Sequence, residues 1–328
     1  MAKFTTEESW HTLPDDHKVY TKTWKPATTP IALVLFIHGF SDHVNAYYTL
    51  FPTLASRSIH VHAFDQRGWG RTVQNHSERG LTGPSSTVLS DITSVLEALI
   101  PLSKEKLIPL FLMGHSMGGA EVLQYAARGP SHIRSQIHGY IAESPYIALH
   151  PSAQPSRFTV VAGKLAAKIL PNRPMVQKLQ SQWLCRDPVV CKEWAEDPLN
   201  HNTGTLEGLA GMLERADELD RGVVAVKEGR VWVGHGSEDR VCSFDSAKTW
   251  FERLGVQDKE FRPYEGWYHK REYSLRREKG HSPGAKGPPV HAEPNEDKII
   301  FANDVADWIM LKAKADGGQD MSQTKSRL

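Results

Sequence analysis

Cysteine is scarce in this chain of 328 residues. Only Cys185, Cys191 and Cys242 occur, an odd number with no C-x-x-C pair. Neither a disulfide framework nor a zinc ribbon is indicated, and a reducing compartment is expected. Long apolar runs are also missing. No stretch approaches the ~18 residues a membrane span requires, and the opening residues lack the apolar core of a secretion signal, so the protein is expected to be neither integral nor secreted. No charge of one sign dominates, because 39 Lys and Arg stand against 38 Asp and Glu. No global field draws the chain to nucleic acid, and such a partner is not expected. There is no internal repeat, no H-E-x-x-H, no Cys/His cluster and no ladder of spaced carboxylates, so no metal is expected. Gly68-Trp69-Gly70 begins like a dinucleotide loop, but the full G-x-G-x-x-G does not follow, and no cofactor is expected.

What the chain does contain is an ordinary packed composition, 40% hydrophobic and 23% charged. That excludes a wholly disordered or fibrous chain and suits one large domain or two modest ones. Residues 31–37 are continuously apolar and rich in β-formers, the mark of a strand buried on both faces. The signature returns at 60–64, 109–113, 137–142 and 231–233, and more weakly at 259–264. Helical patterns lie between the early strands, at 46–56 and 87–102, and another starts at Met117. This alternation predicts an α/β fold on a parallel sheet.

The alternation fails over 146–229, which is expected to be a helical cap or lid inserted into the core of 1–145 and 230–315. Within it Phe158, Val161, Leu165 and Ile169 recur at helical spacing, with Lys164 and Lys168 off that stripe. Two readings stand side by side: a stripe packed on the main domain, or a lid that meets a lipid surface. Residues 270–298 are crowded with charge, proline and glycine and are expected to form a flexible surface loop. Helical periodicity resumes at Ile299 and ends before a polar stretch, 316–328, expected to be disordered. The chain ends in Ser326-Arg327-Leu328, a conservative relative of the peroxisomal S-K-L signal, so a peroxisomal address stands beside a cytoplasmic one.

The chemistry centres on Gly114-His115-Ser116-Met117-Gly118, which follows a strand and opens a helix. That is the G-x-S-x-G nucleophile elbow in the context that gives it meaning. A serine hydroxyl needs a histidine base, and the histidine needs a carboxylate to fix its tautomer. In this kind of fold the acid follows the serine and the histidine follows the acid. Residues 233–239 supply a strand, a glycine-rich turn and two carboxylates; Asp239 is the expected acid and Glu238 the alternative. After Asp239 only His269, His281 and His291 remain. The last two fall in the charged segment, so His269 is the expected base. The oxyanion donors are expected to be the backbone N–H groups of Met117 and, in the loop after the first buried strand, Phe40. His38 is read as a structural ring beneath that loop. Cys242 is either part of an acyl pocket or an inert core thiol.

These residues resemble the monoglyceride lipases of the α/β-hydrolase superfamily, the fungal branch most closely. The resemblance rests on His38-Gly39-Phe40, Asp65-Gln66-Arg67-Gly68-Trp69-Gly70-Arg71-Thr72, Gly114 to Gly119, Glu143-Ser144-Pro145, Arg186-Asp187-Pro188, Asp197-Pro198-Leu199, Asp239-Arg240-Val241 and His269. It implies a serine hydrolase that releases fatty acid from monoacylglycerol, with Ser116, Asp239 and His269 as triad and Phe40 and Met117 as oxyanion donors. Contact of the cap with a membrane or lipid droplet is a further expectation. Two departures are Trp267, where the family usually has a small residue, and the long 270–298 segment.

Overall fold

The computed structural model describes residues 3–270 and 295–324. The chain opens with an antiparallel hairpin, β1 (Phe4–Thr12) and β2 (Lys18–Pro26). It continues through β3 (Ala32–Ile37), α1 (Leu50–Ser56), β4 (Ile59–Phe64), α2 (Ser85–Lys106), β5 (Leu110–His115), α3 (Met117–Arg128), a short α4 (Ser131–Arg134) and β6 (Ile137–Glu143). Then come α5 (Arg157–Ile169), β7 (Pro174–Val176), α6 (Pro188–Glu196), β8 (Thr203–Thr205) and α7 (Leu206–Asp220). The core resumes with β9 (Val231–Gly236), α8 (Phe244–Arg253), β10 (Lys259–Tyr264) and α9 (Asn295–Thr324).

Eight strands form one sheet in the order β1-β2-β4-β3-β5-β6-β9-β10. The six from β3 to β10 run parallel, and they are the six that the apolar runs predict. All six residues of β3 are buried, as are all six of β5 and of β9, because helices cover both faces. The hairpin was not anticipated. β1 carries almost no buried residue, so it has no apolar alternation to read, and β2 joins the sheet antiparallel to β4. The tight turn is Leu13 to His17, with Asp16 at φ +63°.

Two helices differ from their predicted bounds. The 46–56 pattern resolves into a 3₁₀ turn, Val44–Ala46, and the shorter α1. Tyr47 interrupts it, since its hydroxyl is pinned to Asp42 at 2.7 Å. α2 runs on to Lys106 through Pro101 and ends at Leu107 in the left-handed region, φ +52°. Between β6 and β9, α7 lies against α2, α3 and α8, and α5 packs on α7. The segment also holds a small antiparallel pair, β7 with β8, that no apolar run announces.

Residues 271–294 of the charged segment lie outside the described residues. Its first residue, Lys270, belongs to the core and not to a surface loop: it is buried against Asp42. At the far end α9 keeps a helical backbone to Thr324, past the point where its apolar periodicity stops, since extending a formed helix fixes only one residue per added hydrogen bond. Residues 325–328, with the terminal tripeptide, lie outside the described residues.

The strand register levels the carboxyl edge of the sheet. Ile37 faces Gly114, Gly114 faces Ala142, Glu143 faces Gly234 and Gly236 faces Tyr264. The loops carrying Phe40, Ser116, Asp239 and His269 therefore leave from one side.

Candidate active site

Ser116 stands between β5 and α3 at φ +55°, ψ −115°, a conformation an L-residue rarely adopts. The turn is possible because its flanks are glycine. A Cβ on Gly114 would lie 2.3 Å from the carbonyl oxygen of Gly118, and one on Gly118 would lie 2.2 Å from that of Ile37. The strain is held by backbone bonds on both sides: Ser116 N–H donates to Glu143 O, and Ser116 O accepts from Tyr146 N–H, each at 2.9 Å.

His269 Nε2 lies 2.9 Å from Ser116 Oγ, and His269 Nδ1 lies 2.7 Å from Asp239 Oδ2. Three side chains, His269 standing 153 positions from Ser116 and 30 from Asp239, thus make one relay. All three are buried, with Ser116 retaining 8% exposure. Glu238, the alternative acid, is exposed. Asp239 Oδ1 accepts from the N–H groups of Val241 at 2.8 Å and Cys242 at 2.9 Å. Burial opposes its charge, but His269 and His235 outweigh that and hold the carboxyl well below the usual range. His235, 3.1 Å from Asp239 Oδ2, went unnoticed in the sequence; its place four residues before the acid in a glycine-rich turn was the available signal.

The loop after β3 lies hard against the nucleophile. A Cβ on Gly39 would meet Ser116 Cβ at 3.1 Å. His38 is buried beneath it, accepting from Gln66 N–H at 2.9 Å through Nε2 and lying 2.7 Å from Gly39 O through Nδ1. Burial lowers its pKa, so it stays neutral and structural. Phe40 and Met117 both border a cavity of about 380 Å³ that opens at Ser116. Tyr146, Leu149, Val160, Leu209 and Leu213 give the cavity apolar walls, and among the described residues no carboxylate lines it. Cys242 also lines it, its Sγ 3.9 Å from Ser116 Oγ. Burial and the neighbouring Asp239 raise that thiol, so it is a wall residue and not a nucleophile.

A family model described as serine aminopeptidase, S33, matches residues 28–272. A putative monoglyceride lipase of Schizosaccharomyces pombe is 33% identical over 303 residues, which is 90% of this chain and 72% of the relative. The monoglyceride lipase of Homo sapiens is 30% identical over 258 residues, 78% of this chain and 80% of its own. The chain belongs to the monoglyceride lipase family. The crystal structure of a soluble variant of monoglyceride lipase from Saccharomyces cerevisiae, in complex with a substrate analogue, shares the fold at a TM-score of 0.81 and 24% identity, covering 94% of this chain and 95% of that one.

The motifs that marked the chain as a monoglyceride lipase relative are anchors around the site. Asp65 accepts from Val44 N–H and Arg71 N–H, each at 2.7 Å, and Gly70, at φ +51°, leaves no room for a Cβ beside that carboxylate. Trp69 stacks on His201 at 4.6 Å, tying the segment between β6 and β9 to the core. Asp187 caps α6 through Val189 N–H at 2.9 Å, and Asp197 Oδ2 lies 3.1 Å from His43 Nε2. Trp267 stacks on Tyr264 at 4.7 Å and does not line the cavity. Of the two readings of the α5 stripe in this lipase relative, the one packed on the main domain does not hold. Phe158 is 82% exposed and Ile169 78%, with Val161 and Leu165 beside them, so the apolar stripe faces outward. Val160 and Gly163 face the cavity instead, because small and offset residues suffice to close its wall.

Proposed function

We propose that this chain hydrolyses monoacylglycerols to free fatty acid and glycerol through an acyl-enzyme on Ser116. His269 removes the Ser116 proton as Oγ attacks the ester carbonyl, while Asp239 holds the ring with its Nδ1–H directed at the carboxylate and balances the imidazolium. The tetrahedral oxyanion accepts from the N–H groups of Phe40 and Met117. Collapse breaks the ester C–O bond, and His269 returns the proton to the leaving glycerol oxygen. Water then attacks the acyl carbonyl with His269 again as base, and fatty acid leaves with Ser116 restored.

The observation that carries this reading is the Ser116–His269–Asp239 relay at the mouth of an apolar cavity with no carboxylate among its described lining residues. An aminopeptidase must bind a free ammonium group, and the described lining offers no negative side chain for one. An acyl chain asks only for apolar walls. We read 146–229 as the cap over this cavity and the outward stripe of α5 as the face that meets a membrane or lipid droplet. An amphipathic helix with Phe and Leu outward buries that face at a lipid interface.

The test is purified enzyme against monooleoylglycerol, a lysophospholipid, a short-chain nitrophenyl ester and an aminoacyl amide, with Ser116→Ala as control. Monooleoylglycerol is expected to give the highest kcat/KM, and the variant to lose about six orders of magnitude in kcat. Preference for the lysophospholipid or short ester would assign the same machinery to a lysophospholipase or carboxylesterase, and acyl transfer to an added alcohol in preference to water would assign it to an acyltransferase. Normal turnover by the variant would end the reading.

A further inference from the structure

The residue after the expected base and a residue just beyond the oxyanion loop form a buried ion pair. Lys270 Nζ lies 2.7 Å from Asp42 Oδ2, and neither side chain is more than 4% exposed. Lys270 follows His269 directly, and Asp42 stands two residues past Phe40. Tyr47 Oη donates to the same Oδ2 at 2.7 Å, and Asp42 Oδ1 accepts from His43 N–H at 2.9 Å. The ammonium also lies over the Tyr47 ring, 4.7 Å from its centroid. On the cap side, Lys270 N–H donates to Leu184 O at 2.7 Å. His115, the neighbour of the nucleophile, closes the circuit: its Nε2 lies 3.3 Å from His269 O and its Nδ1 3.3 Å from Tyr47 Oη.

Packing alone gives no reason for charge at this spot, since apolar residues of similar volume hold a core as well as a buried ion pair does. What the pair does supply is specific to its place. It clips the loop bearing His269 onto the loop bearing Phe40, and it cancels a carboxylate that would otherwise oppose negative charge growing on the substrate oxygen. We propose that Lys270 is a positioning residue for the hydrolytic reaction, acting through Asp42 on the relative placement of His269 and Phe40 and on the charge beside the oxyanion. The proposal rests on the triad and oxyanion reading given above.

The experiment compares kcat and KM on monooleoylglycerol for Lys270→Gln, Lys270→Arg, Asp42→Asn and the double variant D42N/K270Q, with active sites counted by a fluorophosphonate. Lys270→Gln, which leaves the buried carboxylate uncompensated, is expected to lower kcat roughly 30-fold or more with KM within about twofold, by the usual penalty for unpairing a buried charge. Lys270→Arg keeps the charge and is expected within about threefold of wild type. D42N/K270Q removes both charges and is expected to recover to within about fivefold, and the fall in kcat per labelled site at unchanged KM is the readout that a merely structural role would not move. Wild-type kcat in Lys270→Gln, a loss carried by KM alone, or a double variant as slow as the single one would overturn the proposal. If Lys270→Gln does not fold, the double variant decides, and a loss beyond about 30-fold there counts against the proposal. Wild-type enzyme that takes no fluorophosphonate would instead remove the triad reading, and this proposal with it.

Discussion

Gly118 approaches Ile37 so closely that a Cβ on it would sit 2.2 Å from the Ile37 carbonyl oxygen. The obstacle is backbone at the centre of the sheet and not the end of a flexible side chain, so the first turn of α3 must move if the position is filled. Gly118→Ala is expected to destabilise by about 3 kcal/mol in urea unfolding and to abolish turnover. A variant of wild-type stability would show that α3 can slide on β3.

Ser116 carries backbone strain that the stability of the fold does not require. Its φ of +55° suits glycine, and such conformations cost on the order of 1–3 kcal/mol. Ser116→Gly and Ser116→Ala are both expected to be inactive, with the glycine variant more stable by about 1 kcal/mol after glycine's greater unfolded freedom is discounted. Equal midpoints in parallel denaturation curves would mean the elbow is relaxed.

Asp239 meets four donors, two of them backbone N–H groups, and an asparagine cannot accept from all of them. Asp239→Asn is expected to lower kcat by about four orders of magnitude, as the ring loses its required tautomer. Thermal unfolding is expected to register roughly 2 kcal/mol of lost stability from the mismatched buried amide. Glu238→Gln, at an exposed position, serves as the control and is expected to match wild type in both measurements.

The outward stripe of α5 separates interfacial from soluble chemistry. Replacing Phe158 and Ile169 with serine removes exposed apolar surface without touching the relay. Turnover of monooleoylglycerol in vesicles is expected to fall about tenfold or more, in line with lost burial of two large side chains. Turnover of a soluble butyrate ester is expected to stay unchanged. Equal effects on both substrates would assign the stripe to the fold of the cap.

Acid is expected to destabilise the fold well before the carboxylates titrate. Burial lowers His60, His62 and His201 to about 4 from an ordinary value of 6.5. Between about pH 6.5 and 4 the unfolded chain therefore binds protons that the folded one refuses, so stability falls as pH drops through that window and levels off below it. Each group contributes at most about 1.4 kcal/mol per pH unit. His201→Gln, at the ring stacked on Trp69, is expected to flatten the slope of unfolding free energy against pH between 6 and 4.5. An unchanged slope would mean His201 takes up its proton in the folded state.

Much of the architecture was legible because burial on both faces of a parallel sheet leaves continuous apolar runs, as in β3, and because glycines flanking Ser116 mark a turn that other residues cannot make. The hairpin of β1 and β2 escaped because an edge ribbon needs few buried side chains. The facing of the α5 stripe stays open in the sequence for a related reason: helical spacing says that apolar residues share a face, but not whether that face meets protein or water. Composition groups Lys270 with its charged successors, and only its long-range partner Asp42, 228 positions away, reveals that it lies in the core.

By itself the sequence determined the strand and helix alternation, the nucleophile elbow and the chain order of hydroxyl, carboxylate and imidazole. Those properties follow from local sterics and periodicity, which neighbouring residues encode. Tertiary structure alone decided that Asp239 and not Glu238 faces the ring, that His235 supports it, and that Lys270 and Asp42 meet beside the loop that follows β3. Each of these is a contact between side chains brought to the same sheet edge by separate strands, and no local pattern in the chain specifies such a meeting.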